Sequence, residues 1–73
     1  MLIRFFESAL STEIASLDTT DLVGIISILK DINSIIKIDD TNYYYRYFIL
    51  NTYLDTGVYK QEVQIYLDLS NIQ

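Results

Sequence analysis

The residue types that most often carry chemistry are scarce in this chain. Among its 73 residues there is no His and no Cys. A histidine base, a Ser-His-Asp or Cys-His nucleophile and a Cys/His zinc site are therefore excluded by residue type. Carboxylates remain for acid–base work. Asp39-Asp40 is the adjacent pair, and it lies in the polar run Ile38-Asp39-Asp40-Thr41-Asn42, where a solvated loop accounts for it without catalysis. Asp40-Thr41-Asn42 has the opening rhythm of a calcium loop, but neither the Gly nor the distal Glu follows at the required spacing. Gly24 and Gly57 stand alone, so no glycine-rich phosphate loop is present. These residues point to no enzyme, no cofactor and no metal.

Tyrosine placement is more informative. Residues 43–54 are dominated by aromatic and β-favouring types, and Glu62-Val63-Gln64-Ile65-Tyr66-Leu67-Asp68-Leu69 alternates cleanly. Asp55-Thr56-Gly57 between them is a turn signal. The spacing predicts a β-hairpin with strands 43–54 and 58–69. Val63, Ile65, Leu67 and Leu69 share one face, as do Phe48, Leu50 and Leu54. Pairing Leu50 with Val63 and Phe48 with Ile65 brings the two sets together and sets Leu54 against Tyr59. A slip of one residue buries Glu62 and Gln64 instead.

In that register the outer face carries Tyr43, Tyr45, Tyr47, Ile49, Asn51 and Tyr53 opposite Lys60, Glu62, Gln64, Tyr66 and Asp68. Tyr47 and Tyr66 become direct partners. Such rings either stabilise the hairpin as cross-strand pairs or form an apolar patch for a partner. Arg46 falls on the inner face near Leu67, its stem over the core. A helix capped by Asn42 and ended by Gly57 is the alternative, since Thr56 suits a tight type I′ turn poorly.

Two amphipathic patterns precede the hairpin. Ile3, Phe6, Leu10, Ile14 and Leu17 recur at spacings of three and four, which predicts a helix over 3–17 with Phe5 as an exposed ring outside the stripe. A short strand at Leu2–Glu7 is the alternative, but it lacks sustained alternation. Asp18-Thr19-Thr20-Asp21 reads as a stop and restart, with Thr and Asp as caps. A second helix over 21–37 follows. Its stripe of Leu22, Ile25, Ile26, Leu29, Ile32 and Ile36 is widened by Ile28 and Ile35 to an arc of roughly 180°. The expected fold is α+β, with two N-terminal helices packed on a C-terminal antiparallel β-hairpin in one domain spanning 1–73. An all-α helical bundle is the alternative.

Charge narrows the partners. The formal net charge is −5, with ten acids against five bases. Phosphate backbones repel such a chain, so direct nucleic-acid binding is not expected. The stretch from Leu22 to Leu29 is too short to span a membrane, and no targeting segment is visible, which leads to an intracellular expectation. Stability must come from packing alone, within the chain or against another copy. Tyr43, Tyr45, Tyr47, Ile49, Tyr53 and Tyr66, with Ile28 and Ile35, are the candidate protein-interface residues, and a homodimer is expected. In composition, rich in Ile, Tyr, Asp and Asn, the chain looks like the small acidic accessory proteins of phages and archaeal viruses. The expected function is a non-enzymatic protein-binding module, in its sharpest form an inhibitor of a host nucleic-acid-handling or defence complex. A homo-oligomeric structural or assembly subunit is the alternative.

Overall fold

The structure, a computed structural model, describes residues 1–31 and 34–70. Along the chain these form β1 (Leu2–Glu7), β2 (Thr12–Asp18), α1 (Leu22–Leu29), β3 (Ile36–Ile38), β4 (Thr41–Asp55) and β5 (Val58–Leu69). The strands build one mixed sheet in the order β2-β1-β5-β4-β3. β1 runs parallel to β5, and the other neighbours are antiparallel. No helix among the described residues is long and apolar enough to cross a membrane.

Neither two N-terminal helices on a hairpin nor an all-α bundle describes this molecule. Residues 3–17 form most of a β-hairpin, β1 and β2, instead of a helix. The misleading period has a physical source. β1 sits between β2 and β5, and both of its faces carry large side chains: Ile3 and Phe5 on one, Leu2, Arg4 and Phe6 on the other. A register shift between Phe5 and Phe6 then leaves Ile14 of β2 unpaired. A central strand with apolar groups on both faces, facing a bulged neighbour, loses the two-residue alternation that identifies strands.

Of the expected helix over 21–37, the described residues form helix at Leu22–Leu29. Asp21 caps it, its side chain accepting a hydrogen bond from the Gly24 N–H at 3.2 Å. A Cβ at Gly24 would collide with that carboxylate. The helix stops at Lys30, and Ile36–Ile38 joins the sheet as β3. β-branched residues favour that extended state, and pairing with Thr41–Tyr43 supplies the partner. Ile32, the fifth residue of the expected stripe, lies outside the described residues.

β4 and β5 pair as their alternation predicts: Phe48 with Ile65, Leu50 with Val63, Leu54 with Tyr59 and Tyr47 with Tyr66. The closing turn has positive φ at both central residues, Thr56 at 50° and Gly57 at 82°, the signature of type I′. Asp39 and Asp40, at 49° and 65°, close the β3–β4 hairpin in the same way, so this carboxylate pair forms a turn. One feature was not visible in the alternation. The register shifts between Tyr45 and Tyr47, which leaves Arg46 as an extra residue. Every side chain before it changes face.

The core lies between α1 and one side of the sheet. Ile3 and Phe5 of β1, Val63, Ile65 and Leu67 of β5, Tyr43 of β4 and Leu29 of α1 are its buried members. Leu22, Ile25 and Ile26 bring the rest of the helix stripe onto it. Phe5, expected to be exposed, is 7% exposed here, whereas Leu10, expected in a helix stripe, is 73% exposed in the β1–β2 loop. A chain of this length packs to a radius of gyration of roughly 11 Å when compact. The Cα value is 12.9 Å, with extents of 46 × 26 × 19 Å, because the far end of the β4–β5 hairpin projects beyond β1 and α1 as an arm.

These placements separate the strand from the helix reading. Phe5→Ala should cost about 3–5 kcal/mol, enough to unfold much of a chain this small, while Leu10→Ala should stay within about 0.5 kcal/mol. Equal effects on the urea midpoint would contradict the β1 assignment. The turn offers a second check. Thr56 is β-branched in the left-handed region, so Thr56→Asn should raise stability by roughly 0.5–1 kcal/mol. An unchanged or lowered midpoint would show that the hydroxyl, which donates to the Asp55 carbonyl at 2.8 Å, offsets the strain.

Candidate interaction surface

No described element covers the side of the sheet opposite α1. Alternation and the register place Leu2, Arg4 and Phe6 of β1 there, with Glu62, Gln64, Tyr66 and Asp68 of β5. β4 contributes Tyr44, Tyr47, Ile49, Asn51 and Tyr53. This is the face sequence reasoning selected, with two members exchanged. The extra residue at Arg46 turns Tyr43 and Tyr45 toward the helix, where Tyr43 is buried and Tyr45 packs against the core. Tyr44 takes their place on the open side. Arg46 leaves the inner face as well: its guanidinium lies 3.6 Å from Asp68 and donates to Ser8 Oγ at 3.3 Å. Ile28 and Ile35 are exposed; Ile28 sits on α1, on the other side of the sheet, and Ile35 lies just before the edge strand β3.

The rings form a ladder across three strands. Phe6 and Tyr66 stack with centroids 5.2 Å apart at 17°, and Tyr66 and Tyr47 at 4.8 Å and 12°. Those spacings match the distance between neighbouring strands, so the sheet itself sets the stack. Both ends are capped by cations. The Arg4 guanidinium lies 5.0 Å from the Phe6 centroid, and that of Arg46 lies 6.0 Å from Tyr47. The faces of Phe6, Tyr66 and Tyr47 are thus turned toward one another and toward the two cations.

A polar chain runs beside the ladder. Arg4 grips Glu13 of β2 through two hydrogen bonds of 3.0 Å and donates a third, also 3.0 Å, to Glu62 of β5. Gln64 donates to Glu62 at 3.3 Å and accepts from the Tyr66 hydroxyl at 3.3 Å. Sequence reasoning placed Glu62 and Gln64 on this face but missed Arg4, because it put residues 3–17 in a helix.

The hydrogen bonds from Arg4 hold the Glu13 carboxyl below its ordinary range. Burial pushes Glu62 upward, but hydrogen bonds from Arg4 and Gln64, the Arg4 charge and Asn51 outweigh it, so its carboxyl also lies low. Glu13 and then Glu62 push the Arg4 guanidinium up in turn. All three groups are therefore charged at neutral pH and matched to one another.

Among the described residues no three metal-ligating side chains come together. A cleft of about 450 Å³ beside β4 is lined by Leu29, Lys30, Asp31, Ser34, Tyr44 and Tyr45. In it the Ser34 hydroxyl donates to the Ile28 carbonyl at 2.7 Å.

The carboxylates make a pH prediction. Glu13 and Glu62 have folded values below the unfolded value of 4.5. Their contribution to stability is complete above about pH 4.5 and is lost as pH falls through the folded values. Urea midpoints should therefore hold near neutrality and drop in acid, and Glu62→Gln should shallow that drop. Identical acid profiles for the two proteins would remove Glu62 from the network.

Comparison of the chain with protein-family models, with curated proteins and with solved structures finds no match to any of them.

Proposed function

We propose that this chain is a non-enzymatic protein-binding module that presents its open sheet face to a partner protein. The observation that carries the reading is a pre-ordered face left uncovered by the described elements, where Leu2, Tyr47, Ile49 and Tyr53 stand exposed among side chains held by the Arg4 network and the ring ladder. A surface ordered in advance loses little side-chain freedom on binding. Exposed tyrosine beside aliphatic groups is the composition of interface cores.

Charge supports a class of partner. Arg4, Arg46 and Lys60 are matched to Glu13, Glu62, Asp68 and Asp55. The excess of acid falls toward turns and element ends, at Glu7, Asp21, Asp39 and Asp40. The net charge of −5 favours a protein with a basic surface. A nucleic-acid-handling or defence complex has such a groove, and an acidic chain lodged in it would act as an inhibitor.

The test is capture from lysate, followed by calorimetric titration with the purified partner. Leu2→Ser and Tyr47→Ser should together weaken binding by roughly tenfold or more without loss of secondary structure. Added salt should weaken it further. Binding indifferent to both substitutions overturns the assignment of the face. Reproducible turnover of an ester or phosphoester substrate, abolished by Asp39→Asn or Asp40→Asn, overturns the non-enzymatic half of the reading.

A further inference from the structure

We propose that two copies of this chain pair edge to edge along β4, antiparallel and centred on Asn51, to make one continuous ten-stranded sheet. The contact involved is the backbone edge of the arm; Tyr47, Ile49 and Tyr53 border both that edge and the open face, whereas Leu50 and Leu54 lie on the helix side only, so substitutions at those two test this proposal apart from the open-face reading.

The edge is open for a stated reason. β3 covers only Thr41–Tyr43 of β4, and among the described residues no strand pairs with Tyr47–Asp55 on the side away from β5. In an antiparallel ladder every second residue aims its N–H and C=O away from the partner, so this stretch offers a row of unpaired backbone groups. Its side chains do nothing to discourage pairing. Tyr47-Phe48-Ile49-Leu50-Asn51-Thr52-Tyr53-Leu54 contains no charge and no Pro. No bulge interrupts it, and it is apolar on both faces, with Leu50 51% and Leu54 61% exposed on the helix side and Ile49 42% on the other. The remaining edges are protected: β2 carries the unpaired Ile14 together with Glu13 and Asp18, and β3 is three residues long.

A second copy is the occupant that this edge fits. A two-fold axis normal to the sheet keeps each residue on its own face, so only registers that pair like face with like face are allowed. Centring on Asn51 uses the whole regular stretch. Phe48 then meets the partner's Leu54 on the helix side, Ile49 meets the partner's Tyr53 on the open side, and Leu50 meets the partner's Thr52. Arg46, which lies 3.6 Å from Asp68, comes beside the partner's Asp55, which its own Lys60 holds, so the charges at this end alternate in sign and none meets its like. Centring on Ile49 or Leu50 instead draws the bulge at Arg46 into the ladder and leaves the end of β4 unpaired. The chosen register also brings the partner's Thr56-Gly57 turn to the cleft lined by Leu29, Lys30, Tyr44 and Tyr45, which gives that cleft an occupant. Both open faces end on the same side of the joined sheet.

Light scattering and sedimentation over a dilution series should report twice the 8.5 kDa chain mass. Leu50→Lys with Leu54→Lys places charges on the edge at two exposed positions, and should give a folded monomer with an unchanged circular dichroism spectrum. The register has its own readout. Across the axis the two Asn51 residues form a direct pair, at a Cα separation of about 4.5–5.5 Å that suits a disulfide. The chain has no native Cys. Asn51→Cys oxidised with copper phenanthroline should therefore migrate as a covalent dimer, and Thr12→Cys on the β2 edge should not. A concentration-independent monomer overturns the proposal. So does a dimer that survives the paired lysines, or one that Asn51→Cys fails to cross-link.

Discussion

The parallel pairing of β1 with β5 is the contact on which the rest of the structure depends. It joins Ile3 to Val63 and Phe5 to Ile65, residues about sixty positions apart, and unites two hairpins that otherwise have no strand contact. Four of the seven buried core residues sit in that pair of central strands within two ladder steps, and Leu67 extends the row. A lone hairpin is marginal in water. Each one here gains a buried face only when the other lies beside it and α1 closes over both. Such a closure is non-local, so loop entropy must be spent before hydrophobic burial repays it.

The second constraint is a mismatch of lengths. α1 has eight residues, about 12 Å of helix. β4 has fifteen residues and β5 twelve, on the order of 40–50 Å of strand. A helix that short covers the centre of one sheet face and nothing more. The arm and the open face are both consequences of this shortfall, and the exposed apolar residues concentrate there. A large apolar surface left uncovered by its own chain is the usual mark of an interaction site.

The open face is not simply bare. Arg4 links β2, β1 and β5, and the ring ladder continues from β1 through β5 to β4. Glu62 is buried on this side because Arg4 and Gln64 supply its hydrogen bonds. A buried carboxylate is costly unless matched in this way. The same groups that order the face also satisfy it, so it is preformed, with Leu2, Tyr47, Ile49 and Tyr53 exposed to solvent. In contrast, the backbone edge of β4 over Tyr47–Asp55 has no strand partner among the described residues.

What the chain's own pattern determined was local. Glu62–Leu69 alternates because one face of β5 is buried against the core, and that period fixed its pairing with Phe48 and Leu50. Asp21 marked the start of α1, since capping is a one-turn interaction. The absence of His and Cys excluded whole classes of chemistry. Tertiary structure decided everything that needed distant neighbours. Ile3, Phe6, Leu10, Ile14 and Leu17 keep a helical spacing, yet β1 became a central strand because β5 lay free to pair with it and the core rewarded Phe5. Ile36–Ile38 left the helical pattern for the sheet because Tyr43 and its neighbours offered a ladder. The extra residue at Arg46 moved Tyr43 and Tyr45 into the core, an event invisible in composition. Periodicity reports which face a segment would bury, whereas a strand's partners, its bulges and therefore its true faces are set by hydrogen bonds to residues far along the chain.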